Sequence, residues 1–152
     1  MAVDPGYAGR VYPPTAPYEV GREALREFAE AVGSAHPAHV DAAAARALGH
    51  PDVVAPPTYA VVVAQRAEAQ LVQDPAAGID FSRVVHADER FTHHRPIHAG
   101  DRLVTVLHVD AITTRAGLSM VSTRCEIADE AGEPVATVRS TLAVRGDEGA
   151  PA

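Results

Sequence analysis

The sequence has no lysine, one cysteine and no long apolar run, and each scarcity narrows the classes of protein to which the chain can belong. All 13 basic residues are arginines, scattered from Arg10 to Arg145, and with 20 acidic residues they give a formal net charge of −7. A surface that follows a phosphate backbone needs clustered basic residues. Nucleic acid is therefore not expected as a partner.

Short apolar runs argue against a membrane protein. The longest unbroken run covers residues 59–64, whereas a helix needs about 20 apolar residues to cross a bilayer. The N-terminal segment carries Asp4 and has no apolar core of signal-peptide length. We therefore expect a soluble, cytoplasmic protein with no membrane contact.

The single cysteine, Cys125, has no second cysteine with which to form an internal disulfide. It lies in a segment of alternating polarity, which favours a buried thiol on a strand over a nucleophile.

The chain length and composition predict one domain. A chain of 152 residues with 47% hydrophobic content can bury one core. Residues 1–16 are rich in proline and glycine and predict an extended N-terminal arm. Residues 17–145 are predicted to form the domain, which begins with a short strand at 18–20. The small, acidic residues 146–152 predict a disordered tail.

Three helices are predicted in the first half of the chain. Arg22–Val32 has apolar residues at helical spacing and ends at Gly33, and Asp41 is suited to cap a second helix over residues 41–48. Thr58–Val72 has no proline or glycine and begins with an apolar stretch, as a buried central helix does. Its polar C-terminal end is expected to emerge into solvent.

The second half of the chain changes to a period of two residues, which predicts half-buried antiparallel strands. Turn signals separate four runs, over 84–98, 102–114, 118–129 and 134–145. The connections are short enough for hairpins, so the runs predict a meander. A sheet that curls around the apolar helix would give each the other's apolar face to cover, which is an α+β architecture.

Three segments resemble one known family. They are YEVGREALREFAEAV (18–32), GHPDVVAPPT (49–58) and RPIHAGDRL (95–103). These resemble the small actinobacterial dehydratase N-terminal-like subunits of the MaoC-like (3R)-hydroxyacyl-carrier-protein dehydratases, over about residues 5–145. The resemblance implies a hot-dog fold, with an antiparallel sheet wrapped around a central helix.

The resemblance also implies a role. Subunits of this type help to hold a long acyl chain, while a second hot-dog subunit supplies the catalytic residues. It implies an acyl-carrier-protein or coenzyme A thioester as ligand, no cofactor and no metal. The expected assembly is a heterodimer with a catalytic MaoC-like subunit, or a homodimer.

The catalytic motif of active relatives is half present. They carry Gly-Asp-x-Asn-Pro-x-His, and residues 33–39 read GSAHPAH. His39 keeps the imidazole and is the candidate catalytic residue, but Ser34 occupies the usual Asp position and His36 that of the asparagine. A serine hydroxyl with no neighbouring base is not ionised near neutrality and cannot serve as the general base.

The candidate substrate-binding segment comprises Ala55, Pro56, Pro57, Thr58 and Tyr59. Active relatives place a glycine at the start of the central helix, where its N–H faces the thioester oxygen. Pro57 takes that position and has no N–H. Losing one such donor costs about 10²–10³ in rate, so the chain alone is expected to be weakly active or inactive. An alignment shifted by one residue would restore the donor.

The remaining histidines have simpler interpretations than chemistry. His36 and His39 flank Pro37 without a third ligand nearby, so no metal site is expected. His93, His94 and His98 are interpreted as solvated strand residues. Asp101 is expected to accept local backbone hydrogen bonds in the turn that follows.

Three further functions stay open at this point. A hot-dog thioesterase needs a carboxylate at the thioester carbonyl, but Glu68, the first acid of the central helix, lies about 16 Å along the axis from Pro57. A non-enzymatic acyl-binding module would use the same fold without chemistry. A self-sufficient hydratase homodimer would use His39 alone.

Overall fold

The computed structural model describes residues 2–146, which form one curved sheet with a helix in its hollow. The described α-helices are α1 (Arg22–Val32), α2 (Ala42–Ala47) and α3 (Ala60–Val72). The strands are β1 (Tyr18–Glu19), β2 (Val84–His93), β3 (Arg102–Arg115), β4 (Leu118–Asp129) and β5 (Pro134–Arg145). Short 3₁₀ turns cover Pro5–Tyr7, Pro37–His39, Pro75–Ala77 and Phe81–Arg83.

The first two helices confirm their predicted signals. Gly33 ends α1 in the left-handed conformation at φ 71°, and the Ser34 N–H donates to the Ala29 carbonyl at 2.8 Å. Asp41 caps α2 by accepting from the Ala43 N–H at 3.0 Å. The end of α1 and the start of α2 therefore lie where the capping residues predict them.

The central helix α3 lies in the core, as predicted, with two differences. It begins at Ala60 because the Tyr59 N–H first closes a turn onto the Pro56 carbonyl at 2.9 Å. The expectation that its polar end emerges into solvent is wrong at Glu68, which is only 4% exposed. The Thr123 hydroxyl donates to the Glu68 carboxylate at 3.0 Å and holds it inside.

The sheet wraps around α3 in the order β1-β3-β4-β5-β2, with every pairing antiparallel. This is the hot-dog architecture. The alternation predicted for 121–127 is confirmed, and Cys125 is buried with its thiol 3.7 Å from the Ala64 carbonyl oxygen. Burial raises the pKa of the Cys125 thiol, which suits a structural residue and not a nucleophile.

The predicted meander is wrong at its first step. Strands β3, β4 and β5 do follow one another, but β2 pairs with β5 at the far edge. The edge of β3 is already taken by β1 and by the N-terminal arm, whose Tyr12 and Thr15 N–H groups donate to the Leu107 and Thr105 carbonyls. Strand β2 therefore has no place beside β3.

Strand β2 is also shorter than predicted, because it ends at His93 and the run to residue 98 leaves the sheet. A bulge at Ala87 shifts its register against β5. Since strand side chains alternate, the bulge changes which positions face α3. His86 and Glu89, three residues apart, consequently approach each other, with Nε2 and Oε1 separated by 3.4 Å.

The arm contributes to the core. Val3 and Tyr7 are buried, the latter within a 3₁₀ turn that the extended prediction did not include. The Tyr7 hydroxyl donates to the Asp74 carboxylate at 2.7 Å. The tail predicted over 146–152 falls outside the described residues, except for Gly146, whose N–H donates to the Gly117 carbonyl.

Among the described helices, none combines the length and the apolar character needed to cross a bilayer.

Candidate functional site

A cavity of about 520 Å³ opens where the chain enters α3. Its walls come from the turn before α2, the segment that leads into α3, and the chain after β2. They comprise His39, His50, Val54, Ala55, Pro56, Pro57, His93, His94, Arg95, Pro96 and Ile97. The cavity therefore collects residues from three separate parts of the sequence.

His39 is presented to this cavity by a rigid turn. Pro37 starts the 3₁₀ turn, and His36 caps it by accepting from the Ala38 N–H at its Nδ1. The His39 Nδ1 lies 2.7 Å from the Val54 carbonyl oxygen. Since a carbonyl only accepts, the neutral ring carries its proton on Nδ1, and Nε2 is left as the acceptor.

Backbone hydrogen bonds hold the three walls together. The Val54 N–H donates to the Ala38 carbonyl at 2.9 Å, and the Ala55 N–H donates to the Ile97 carbonyl at 2.7 Å. On the far side, the Ala99 N–H donates to the Val53 carbonyl at 2.8 Å. The His39 turn and the chain after β2 are thus fixed on either side of residues 53–55.

Asp52 fastens this segment to α1. Arg22 donates to both of its carboxylate oxygens, at 2.9 and 2.8 Å, and Arg46 approaches at 3.6 Å. The hydrogen bonds from Arg22, with the Val53 N–H, hold the pKa of the Asp52 carboxyl well below its usual range. A bidentate arginine pair of this kind fixes orientation as well as charge.

Pro57 lies at the point where the chain enters α3. Pro57 lines the cavity without an N–H, and its carbonyl accepts from the His93 Nε2 at 2.7 Å. The Thr58 N–H that follows has no acceptor within the described part of the chain. Thr58 is therefore the first residue after the two prolines with an N–H free for a ligand.

The predicted substrate-binding residues separate into two groups. Ala55, Pro56 and Pro57 line the cavity with His39, whereas Thr58 does not. Tyr59 is a core residue, with its ring edge-on to Phe28 at 5.2 Å and its hydroxyl hydrogen-bonded to that of Tyr18.

Ser34, the second predicted catalytic position, does not line the cavity either. Its N–H is used in ending α1. Within residues 2–146, the cavity lining contains no Asp or Glu, so no carboxylate stands in for the one that Ser34 replaces.

Sequence reasoning missed the role of the chain after β2. His93 and His94 are exposed, as expected of solvated residues, yet both line the cavity. Asp101 accepts from the His98 N–H at 3.0 Å, which confirms the predicted turn bond. It also receives two hydrogen bonds of 2.9 Å from Arg95, and these fix the lining segment.

The four histidines around the cavity do not form a metal centre. In the region that the structure describes, no group of three or more histidine, cysteine or acidic side chains is arranged to hold an ion. The cavity instead offers imidazole groups, a helix entrance and apolar walls, a combination suited to an organic ligand.

A second cavity of about 340 Å³ lies beside the C-terminal half of α3. It is lined by Gln65, Glu68, Ala69, Val72, Gln73, Phe81, Val84, His86 and Leu142. Strand β2 borders both cavities, since it supplies His86 to this one and His93 to the first.

Comparisons with known proteins agree with this fold. The family model described as "FAS1-like, dehydratase domain region" matches residues 7–138. A UPF0336 protein of Saccharopolyspora erythraea is 55% identical over 146 residues, which cover 96% of this chain and 94% of that protein.

Two solved structures share both the fold and more than a quarter of the sequence. A chain of the C-terminally truncated HadBC (3R-hydroxyacyl-ACP dehydratase) complex from Mycobacterium tuberculosis gives a TM-score of 0.80 at 34% identity, covering 90% of this chain and 96% of that one. A MaoC-like dehydratase gives 0.84 at 36% identity, covering 93% of this chain and 43% of that one.

The fold is that of the MaoC-like hot-dog dehydratases. Within that class, the chain belongs to the FAS1-like dehydratase-region family. This membership supports a function of the dehydratase type.

Proposed function

We propose that this chain is the substrate-binding subunit of a cytoplasmic (3R)-hydroxyacyl-thioester dehydratase, and that it completes its active site with a catalytic MaoC-like subunit. The observation that carries the proposal is the composition of the first cavity. It retains His39 and the entrance to α3, but it has no carboxylate, and Pro57 replaces the N–H donor.

Dehydration of a 3-hydroxyacyl thioester needs a base and an acid near Cα and Cβ, and a donor for the enolate-like thioester oxygen. The His39 Nε2 can accept one proton because Nδ1 is committed to the Val54 carbonyl. No carboxylate stands beside it in the lining of the cavity. The missing group is therefore assigned to the partner subunit.

Binding is the role that the remaining lining supports. Val54, Ala55, Pro56 and Ile97 give the cavity apolar walls for the first carbons of an acyl chain. The Thr58 N–H, one residue after Pro57, has no backbone acceptor among the described residues and is available at the entrance to α3, just outside the lining. The ligand class is an acyl thioester of carrier protein or coenzyme A.

A partner is proposed because β2 is an edge strand. Among the described residues no strand pairs with its outer side, and long exposed edges generally associate. One of the similar structures is a complex by its own description, the HadBC dehydratase. The proposed assembly is a heterodimer, and the homodimer is the alternative outcome.

A thioesterase would need a carboxylate in the first cavity, and its lining contains none among the described residues. The first acid of α3, Glu68, lies at the second cavity and is bonded to Thr123. A self-sufficient hydratase would use His39 alone. The activity of the isolated chain distinguishes this alternative from the proposal.

The test measures hydration of crotonyl- and longer enoyl-thioesters by the chain alone, by a candidate subunit that carries Gly-Asp-x-Asn-Pro-x-His, and by the two together. We expect the mixture to exceed the sum of the separate samples, most of all with long acyl chains. His39→Ala should raise the KM of the mixture for long substrates. The matched control is His108→Ala, a histidine on the outer face of β3.

Robust turnover by the chain alone that is lost in His39→Ala would establish the self-sufficient hydratase instead. Release of free thiol from saturated acyl-coenzyme A would establish the thioesterase. A mixture no more active than the candidate subunit by itself would refute the accessory role.

A further inference from the structure

His93 links the end of β2 to the point where the chain enters α3. Its Nε2 lies 2.7 Å from the Pro57 carbonyl oxygen. Because a carbonyl oxygen only accepts, the hydrogen of this bond belongs to Nε2. The Phe91 ring is stacked on the His93 ring, with an interplanar angle of 6° and 6.3 Å between the centroids. The imidazole is therefore held by an aromatic neighbour along its face and by a backbone carbonyl at its tip.

The Pro57 carbonyl is one half of a peptide group whose other half is the Thr58 N–H. The peptide group is planar, and no peptide bond among the described residues is cis. In a trans peptide the carbonyl and the N–H point in opposite directions. A donor that holds the Pro57 carbonyl in place therefore also sets the direction of the Thr58 N–H.

Thr58 carries the donor that the entrance to α3 leaves free. Pro56 and Pro57 have no N–H, and the Tyr59 N–H donates to the Pro56 carbonyl at 2.9 Å. The Thr58 N–H has no backbone acceptor among residues 2–146, and the residue is exposed. Free N–H groups in the first turn of a helix point out of its N-terminal end. The first cavity opens at this end, with both prolines in its lining, so a ligand there lies on the side toward which the N–H points.

The bond from His93 also affects the strength of the Thr58 donor. Hydrogen bonds that are linked through one peptide group polarise each other, by about 10–30% per bond. A donor on the carbonyl oxygen draws electrons from the peptide nitrogen and leaves the N–H hydrogen more positive. This matters most when the ligand oxygen gains negative charge, as an enolate-like thioester oxygen does.

We propose that His93 is a positioning residue for the thioester carbonyl: through the Pro57–Thr58 peptide group it orients and polarises the N–H that donates to the thioester oxygen. The inference rests on the proposed function and adds a residue that acts on the carbonyl oxygen, whereas His39 acts on the carbon chain. The alternative is that His93 only closes the wall of the cavity. In that case its shape would matter and its N–H donor would not.

Two substitutions separate the donor from the shape. His93→Leu removes the donor and keeps an apolar side chain, and His93→Gln places an amide N–H near the position of Nε2. Thr92→Val is the matched control, because Thr92 is the preceding residue of β2 and is exposed. Circular dichroism and the urea midpoint establish that each variant is folded before it is used.

The first measurement uses hexanoyl-coenzyme A labelled with ¹³C at the carbonyl, a saturated thioester without a 3-hydroxyl group to eliminate. When it is titrated into the chain alone, its carbonyl resonance should move downfield, as the resonance of a hydrogen-bonded carbonyl does. His93→Leu should lose most of this displacement, and His93→Gln and Thr92→Val should keep it. In the ligand-free chain, the Thr58 amide resonance should change in His93→Leu and stay near its wild-type position in the other two variants.

The second measurement is the hydration of enoyl-thioesters by the mixture with the candidate catalytic subunit. His93→Leu should lower kcat by roughly tenfold or more and leave KM within about threefold, because the interaction strengthens in the transition state. Complete loss of an oxyanion donor costs about 10²–10³ in rate, and His93→Leu misdirects the donor without removing it. His93→Gln should recover most of kcat. A residue that only shaped the wall would raise KM instead.

An unchanged displacement of the carbonyl resonance in His93→Leu would overturn the inference, whatever the activity of the mixture. So would a loss that His93→Gln does not recover, since the shape of the ring would then account for it. A mixture no more active than the catalytic subunit by itself refutes the accessory role, and the carbonyl displacement then decides on His93 independently. If the thioester shows no saturable binding to the wild-type chain, the binding role and the role of His93 both fail.

Discussion

Single residues determine how the lining of the first cavity is held, and the pair of Arg95 and Asp101 is the clearest case. Asp101 is buried, accepts two hydrogen bonds from Arg95, and accepts a third from the His98 N–H. The pair joins the two ends of the loop between β2 and β3. The loop therefore keeps one conformation although it belongs to neither strand.

Asp101→Ala should lower the free energy of unfolding by about 3 kcal/mol, because it leaves the Arg95 guanidinium without its main partner. Urea unfolding followed by circular dichroism measures the difference. Glu130→Ala, which removes an exposed partner of Arg102, should cost less than about 1 kcal/mol. Equal losses of unfolding free energy in the two variants would mean that the Arg95–Asp101 pair stabilises the fold no more than an exposed pair does.

Glu89 gives a prediction of opposite sign. Its pKa is raised by burial in the folded chain, and an unfolded glutamate titrates near about 4.3. From that pH upward the folded state binds more protons than the unfolded state, so the wild type loses stability as the pH rises. Glu68, His86 and Asp88 are the charged groups that act on it.

Glu89→Gln should therefore stabilise the isolated chain at pH 7, by about 1–2 kcal/mol. The difference should shrink as the pH falls through about 4, because the wild-type side chain then becomes protonated in both states. Urea unfolding of both proteins between pH 4 and pH 8 measures it. A Glu89→Gln variant less stable than wild type at pH 7 would contradict the cost of the buried carboxylate.

Sequence patterns predicted residues whose partners are local. Asp41 as a helix cap and Asp101 as a turn acceptor both follow from neighbours within three positions. The burial of Glu68 could not be predicted, because its donor, Thr123, is 55 residues away. The contact between the His39 Nδ1 and the Val54 carbonyl could not be predicted for the same reason, because α2 and a loop separate the two residues in the sequence.

At the scale of elements, the helices were easier to predict than the order of the strands. The bounds of α1 agree with the prediction because Gly33 marks its end. Strand β2 was predicted five residues too long, because the alternating pattern continues beyond His93 while Arg95 and Asp101 form the loop. Its pairing with β5 depends on the arm, which the local pattern of β2 does not reveal.

Gly78 links the chain after α3 to the arm. It has φ +73°, and a Cβ atom there would lie 2.6 Å from the Ala2 carbonyl oxygen. Gly78→Ala should cost about 2–3 kcal/mol, since strain and steric conflict add. Gly132→Ala, with φ +85° and open space around it, should cost about 1 kcal/mol.

Thermal unfolding of the two alanine variants compares these costs. If both lost the same stability, the close approach of the arm to Gly78 would be irrelevant to the fold.

For the whole molecule, the arm is part of both the sheet edge and the core. It occupies the edge of β3 and inserts Val3 and Tyr7 into the core. The fold class followed from the sequence because one apolar helix and four alternating runs have few other arrangements. The role of the arm could not be predicted from the sequence, because its proline-rich composition shows no apolar periodicity.

A chain that begins at Pro17 should lose about 4 kcal/mol or more, the burial value of two large side chains. Its urea midpoint, compared with that of the full chain, measures this loss. An unchanged midpoint would show that residues 1–16 are a dispensable arm and that the domain begins at residue 17.

The bulge at Ala87 separates the two halves of β2. Even-numbered side chains, Val84 and His86, face α3 before it, and odd-numbered ones, Glu89, Phe91 and His93, do so after it. Loss of one residue at the bulge would exchange inner and outer side chains in one half and leave the other intact. The side chains that β2 presents at the second cavity and at the first can thus change independently.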